Sequence, residues 1–93
     1  MIEKDIQLKV YGRVQGVFFR QSTKAIADQL NVSGWVKNCS DGTVEVLIQG
    51  PIDKLNTIIT WLHTGPDRAI VEKIEIILEK DCTKLSEDFN ILI

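Results

Sequence analysis

Residues 10–20 read Val-Tyr-Gly-Arg-Val-Gln-Gly-Val-Phe-Phe-Arg, and their periodicity changes partway along. Val10, Tyr11 and Val14 are the β-branched and aromatic residues that suit a pleated strand. After Gly16 the spacing turns helical: Phe19, Thr23, Ile26 and Leu30 fall on one face, with Arg20, Lys24, Asp28 and Gln29 on others. Gly12 and Gly16 lack the Cβ that hinders a tight turn or a close ligand. A strand running through a glycine-bearing turn into a helix collects backbone N–H groups and the positive end of the helix dipole at the turn. That is the physical arrangement of an anion cradle. Arg20 stands where a permanently charged, bidentate guanidinium reaches the same anion. The same features also describe a plain junction with a solvated arginine, and taken alone they favour that plainer reading.

The flanking sequence supplies the remaining elements. Ile6, Leu8 and Val10 alternate with Gln7 and Lys9, giving a half-buried first strand. The helix from about Phe19 ends near Leu30, with Asn31 as its stop. Ser33-Gly34 turns the chain into a second strand over residues 35–38. Cys39-Ser40-Asp41-Gly42 then signals a hairpin, with Asp41 serving the turn. A third strand covers residues 44–48 and ends at Gly50-Pro51. Pro51 suits the first position of a second helix, whose stripe is Leu55, Ile58, Ile59 and Leu62 and whose stop is Gly65-Pro66. The fourth strand spans residues 70–78, with Ile70, Ile74, Ile76 and Leu78 on one face. Residues 79–88 read as a polar loop, and Phe89, Ile91 and Ile93 as a short closing strand. The order β-α-β-β-α-β plus one strand predicts an α+β, ferredoxin-like two-layer sandwich: an antiparallel sheet covered by two helices. This arrangement hosts many functions and selects none of them.

With 93 residues, 44% hydrophobic and 26% charged, the chain reads as a single soluble globular domain over residues 1–93. No stretch approaches the roughly 20 apolar residues of a membrane span. The N-terminus lacks a signal peptide's apolar region, so a cytoplasmic protein without a membrane partner is expected; a monomer is expected as well. A net charge of −2 and a pI near 5.3 argue against a nucleic-acid partner. The third strand also lacks the aromatic residues that stack on bases, and Tyr11 in the first is assigned to packing. Cys39 and Cys82 have neither CxxC spacing nor a histidine cluster, so no metal site is expected. They read as free thiols, a disulfide being the less favoured alternative. Residues 12–20 contain no Cys, His, Asp or Glu to carry a metal. His63, the only histidine, complements the dipole at the end of the second helix. Trp35 and Trp61 are expected in the core. No Ser-His-Asp or Cys-His arrangement can be assembled.

Asn38 is left as an amide inside a strand, where amides are mildly disfavoured. It is either an exposed position ahead of the turn or a neutral group that holds a water in line with a bound phosphorus atom. By itself the former is favoured.

At this point two motifs change the balance. VYGRVQGVFFR, residues 10–20, resembles the first signature of the acylphosphatases, and GWVKNCSDGTVEV, residues 34–46, resembles the second. The likeness continues through Gln49-Gly50-Pro51, Trp61-Leu62, Gly65-Pro66 and a final Phe-x-Ile, and so extends over essentially the whole chain. It implies hydrolysis of a small-molecule acyl phosphate, a carboxyl–phosphate mixed anhydride, to a carboxylate and inorganic phosphate, with no metal or organic cofactor. It also implies that the backbone N–H groups of Gln15, Gly16, Val17, Phe18 and Phe19 wrap the phosphate. Arg20 would bind the phosphate oxygens and Asn38 would orient the attacking water. Cys39, directly after Asn38, falls within the second motif at a position where the family is variable, and its oxidation would be expected to disturb its neighbour. The rival expectation is a non-catalytic anion-binding regulatory module of the same fold. It is disfavoured because such a module should have lost Arg20 or Asn38. A domain detached from a larger carbamoyl-transferring protein is disfavoured because the chain begins and ends at the domain's natural limits.

Overall fold

The computed structural model describes residues 3–82 and 87–92. Along the chain it forms β1 (Glu3–Arg13), α1 (Phe19–Leu30), β2 (Ser33–Asn38), β3 (Val44–Pro51), α2 (Ile52–Leu62), β4 (Ile70–Asp81) and β5 (Phe89–Ile91). The strands make one five-stranded sheet in the order β4-β1-β3-β2-β5. The ferredoxin-like α+β arrangement is the expected one, and β1 to β4 pair antiparallel as expected. The added strand does not: β5 runs parallel to β2, so the sheet is mixed. After β4 at one edge the chain reappears at the other and runs in the opposite direction, which is that of β2. Parallel pairing is then the only pairing left.

Strand alternation divides the sheet into two faces. Ile6, Leu8 and Val10 of β1, Val36 of β2 and Val44, Val46 and Ile48 of β3 are all buried, packed with Phe19 and Ala27 of α1 and Leu55, Ile58 and Leu62 of α2. Each of these valine, leucine, isoleucine and phenylalanine side chains contributes roughly 1.5–3 kcal/mol by leaving water. Thr23 is buried within this layer, and its hydroxyl donates to the Phe19 carbonyl oxygen at 2.7 Å. On the opposite face the Gln7 amide donates to Glu45 Oε1 at 2.8 Å and the Tyr11 hydroxyl to Glu75 at 3.1 Å.

Several boundaries and faces depart from the sequence reading. Ser33-Gly34 opens β2 instead of turning into it. A Cβ on Gly34 would lie 1.9 Å from the Leu47 carbonyl oxygen, so this glycine serves close strand approach. Pro51 closes β3 and precedes α2 in an extended conformation (φ −62°, ψ 136°), one residue before the position expected for it. Glu79, Lys80 and Asp81 continue β4, opposite Ile6, Asp5 and Lys4, where a loop was expected. Residues 83–86 of that loop, and Ile93 of the closing strand, lie outside the described residues. The single apolar face of β4 is broken by two register shifts: Ile74 and Ile76 oppose Val10 and Leu8, but Leu78 opposes Gln7 and Ile70 opposes Arg13. Trp35 is not in the core. Val36 beside it takes the inward place, so Trp35 faces the helix-free side opposite Leu47, with the Lys37 ammonium 5.2 Å from its ring centroid. Trp61 does pack inward, its ring 5.8 Å from that of Phe19. His63 is the exposed residue that caps the end of α2.

No disulfide joins Cys39 and Cys82. Cys39 follows Asn38, which sits in the register of Val44 and Val10, whereas Cys82 follows Asp81 at the register of Lys4. The two thiols therefore lie at opposite ends of the sheet on non-adjacent strands, far beyond the roughly 7 Å Cα separation that a disulfide tolerates.

The hairpin between β2 and β3 is held by Asp41. Its Oδ1 accepts from the Thr43 backbone N–H at 3.0 Å and from the Thr43 hydroxyl, while its Oδ2 pairs with Lys9 Nζ at 2.9 Å. The Thr43 hydroxyl first, and then Lys9, hold this carboxyl well below the usual carboxylate range. A folded-state pKa below the unfolded value stabilises the fold above about pH 3.9, and that contribution fades as the pH falls from there toward the folded value. Asp41→Asn should therefore be less stable than wild type in urea near neutral pH, with the gap narrowing below about pH 4. A gap unchanged down to the acid limit would show that the charge of Asp41 is not its source.

Candidate active site

The segment between β1 and α1 is anchored at alternate residues. Val14 and Val17 are buried in the core, while Gly16 and Phe18 between and after them are exposed. Gly16 has φ 74°, and a Cβ placed there would meet nothing within 4 Å, so backbone conformation rather than space calls for glycine. Phe18, with φ 63° and ψ 24°, also takes the left-handed conformation. For a bulky side chain this costs on the order of 1–3 kcal/mol. Among the described residues, the backbone N–H groups of Gln15, Gly16, Val17, Phe18 and Phe19 meet no protein acceptor. The helix that follows has no side-chain cap and no acidic residue in its first turn. Its N-terminal donors and positive dipole end thus remain uncompensated by protein groups.

Arg20, in the first turn of α1, is half-buried and forms no ion pair among the described residues. Asn38, the last residue of β2, pairs with Val44 of β3. Its Oδ1 is buried and accepts no hydrogen bond from any described residue. A buried polar atom left so costs about 1–3 kcal/mol. Asn38 and Arg20 line the same cleft, of about 160 Å³, together with Gly16, Phe18 and Phe19. Of the loop residues predicted from sequence, Gln15 and Val17 do not line it. The Val17 side chain enters the core, and the Gln15 amide donates to the carbonyl oxygens of Cys39 at 2.8 Å and Thr43 at 2.9 Å. Gln15 thereby ties the loop to the hairpin that follows Asn38. The cleft is completed by Val14, expected only as a strand residue, and by Gln21, for which the sequence gives no expectation. Gln21 is an exposed polar residue on a helix and carries no sequence signal.

The cleft combines a guanidinium, unpaired backbone donors and a helix N-terminus, a donor set for a small multivalent oxyanion. Its volume lies below the roughly 300–1,000 Å³ of pockets that enclose a drug-sized molecule. A second cleft of about 170 Å³ is lined by Asp28, Glu87 and Asp88, whose charge opposes an anion. Among the described residues, no group of three or more His, Cys, Asp or Glu side chains is placed to hold a metal ion.

Known proteins share both the fold and the sequence. The acylphosphatase family model matches residues 6–91. An acylphosphatase of Pyrobaculum islandicum is 48% identical over 91% of this chain and 90% of its own length. One of Rubrobacter xylanophilus is 47% identical over 78% of this chain and 66% of its own. The crystal structure of acylphosphatase from Bacillus subtilis superposes with a TM-score of 0.91 at 33% identity, covering 97% of this chain and 99% of that one. The molecule is thus a ferredoxin-like α+β protein whose β1–α1 junction and β2 end meet in one small polar cleft. It belongs to the acylphosphatase family.

Proposed function

We infer that this protein is an enzyme that hydrolyses acyl phosphates. Water attacks phosphorus, the bond from phosphorus to the acyl oxygen breaks, and a carboxylate and inorganic phosphate leave. The observation that carries the reading is the meeting, around one cleft, of Arg20, the loop residues Gly16, Phe18 and Phe19, whose N–H groups meet no protein acceptor among the described residues, and the Asn38 oxygen, which has no partner among them either.

In this reading the N–H groups of residues 15–19 and the Arg20 guanidinium hold the equatorial phosphate oxygens, where charge is spread in the transition state. The Asn38 oxygen accepts a hydrogen bond from the attacking water and aims its lone pair at phosphorus. An amide is too weak a base to take the proton, which passes to a phosphate oxygen. The carboxylate is a good leaving group and needs no protein acid. No step calls for a metal or an organic cofactor. The working unit we propose is a monomer of this one domain in the cytoplasm.

A non-catalytic phosphate-binding module would explain Arg20 and the loop. It gives no reason to keep an unpaired buried oxygen beside them. The test is hydrolysis of benzoyl phosphate by the purified protein in the presence of a chelator. Sustained turnover supports the enzyme and its independence of metal. Binding of inorganic phosphate without turnover would point to the module.

A further inference from the structure

Phe18 is the most exposed large hydrophobic side chain among the described residues, at 67%, and it stands on the cleft. Both neighbours, Val17 and Phe19, are buried in the core, whereas Phe18 is not among the residues that build it or pack against it. Its left-handed backbone is one that glycine adopts without strain. The turn therefore does not need a ring at this position, and the fold gains no burial from it. An exposed aromatic group on a strained backbone calls for a reason outside the fold.

The size of the cleft supplies one. About 160 Å³ suits a phosphate group, not a whole acyl phosphate. With the phosphate against the loop donors, the acyl part must lie toward the opening. The side chains there with surface to offer are Phe18 and Gln21, both exposed and both lining the cleft. Only Phe18 presents an apolar face.

We propose that the Phe18 ring is the acyl-recognition surface of this protein, selecting acyl phosphates with aromatic or extended apolar acyl groups over those with a short one. The proposal rests on the acyl phosphatase reading above. It concerns the acyl half of the substrate, which the phosphate donors do not touch. Contact between the ring and the acyl group persists from the bound substrate to the transition state, so it acts through KM more than through kcat.

The test compares kcat/KM for benzoyl phosphate and acetyl phosphate in wild type, Phe18→Gly and Phe18→Tyr, with inhibition by inorganic phosphate reporting on the cradle. The expected result is a fall of about tenfold in the benzoyl-to-acetyl ratio in Phe18→Gly, carried by a raised KM for benzoyl phosphate. In Phe18→Tyr the ratio stays within about twofold of wild type, because the face of the ring is kept. An unchanged ratio in Phe18→Gly, or an equal loss on both substrates, would overturn the proposal and leave Phe18 a role in loop shape only. Binding of benzylphosphonate and methylphosphonate, measured by calorimetry, reads the same preference without turnover. A wild-type protein that hydrolyses neither substrate yet prefers benzylphosphonate, with Phe18→Gly losing that preference, would refute the hydrolase reading while upholding the ring as the recognition surface. Equal binding of the two phosphonates by wild type would refute the ring.

Discussion

Arg20→Ala is expected to lower kcat/KM for benzoyl phosphate on the order of 10³-fold and to weaken inhibition by inorganic phosphate in parallel. A guanidinium that grips phosphate oxygens contributes in the ground state and more strongly in the transition state, so binding and turnover fall together. Arg20→Lys should recover only part of the loss, since an ammonium brings the charge without the planar fork. The fold should not suffer. Arg20 forms no ion pair among the described residues, and it places a positive charge in the first turn of α1, where the helix dipole disfavours it. The denaturation midpoint of Arg20→Ala should therefore equal or slightly exceed that of wild type. Phosphate affinity unchanged by the substitution would remove Arg20 from the cradle.

Asn38→Ala separates the same quantities in a different way. Turnover should fall on the order of 10²–10³-fold, while inhibition by inorganic phosphate stays within about twofold of wild type. The amide is assigned to the water and not to the phosphate, so only kcat should carry the loss. Stability gives a second signature. The Asn38 oxygen is buried without a partner among the described residues, and its removal lifts a desolvation penalty of about 1–3 kcal/mol, offset in part by lost packing. Urea unfolding of Asn38→Ala should accordingly show a midpoint no lower than that of wild type. A variant that lost activity only because it unfolded would show that Asn38 supports the strand. A stable variant with near-full activity would show that it does not orient the water.

These two residues also separate what local patterning conveys from what it does not. Arg20 follows the change from strand to helical spacing, and a charged residue in the first turn of a helix is a physical signal in its own right. Asn38 gives no such signal, because an amide at a strand end is ordinarily a solvated one. Its motif marks it, and its buried oxygen, without a partner among the described residues, is visible only once β2 lies beside the β1–α1 junction. For Phe18 the sequence points to its backbone N–H alone. Both the exposure of its ring and its left-handed conformation depend on where the neighbouring valine and phenylalanine find their pockets.

The sequence by itself determined the layering. The alternation of Ile6, Leu8 and Val10, the helical stripe after Gly16, the Asn31 stop and the Asp41-Gly42 turn each act over a few residues, and each formed where it was read. Only the tertiary structure decided the two register shifts along β4, the parallel seat of β5, the outward face of Trp35 and the bridge from Gln15 to the hairpin. All four depend on pairing between segments distant in the chain. A one-residue slip there reverses every side chain beyond it, and local periodicity contains no record of the slip.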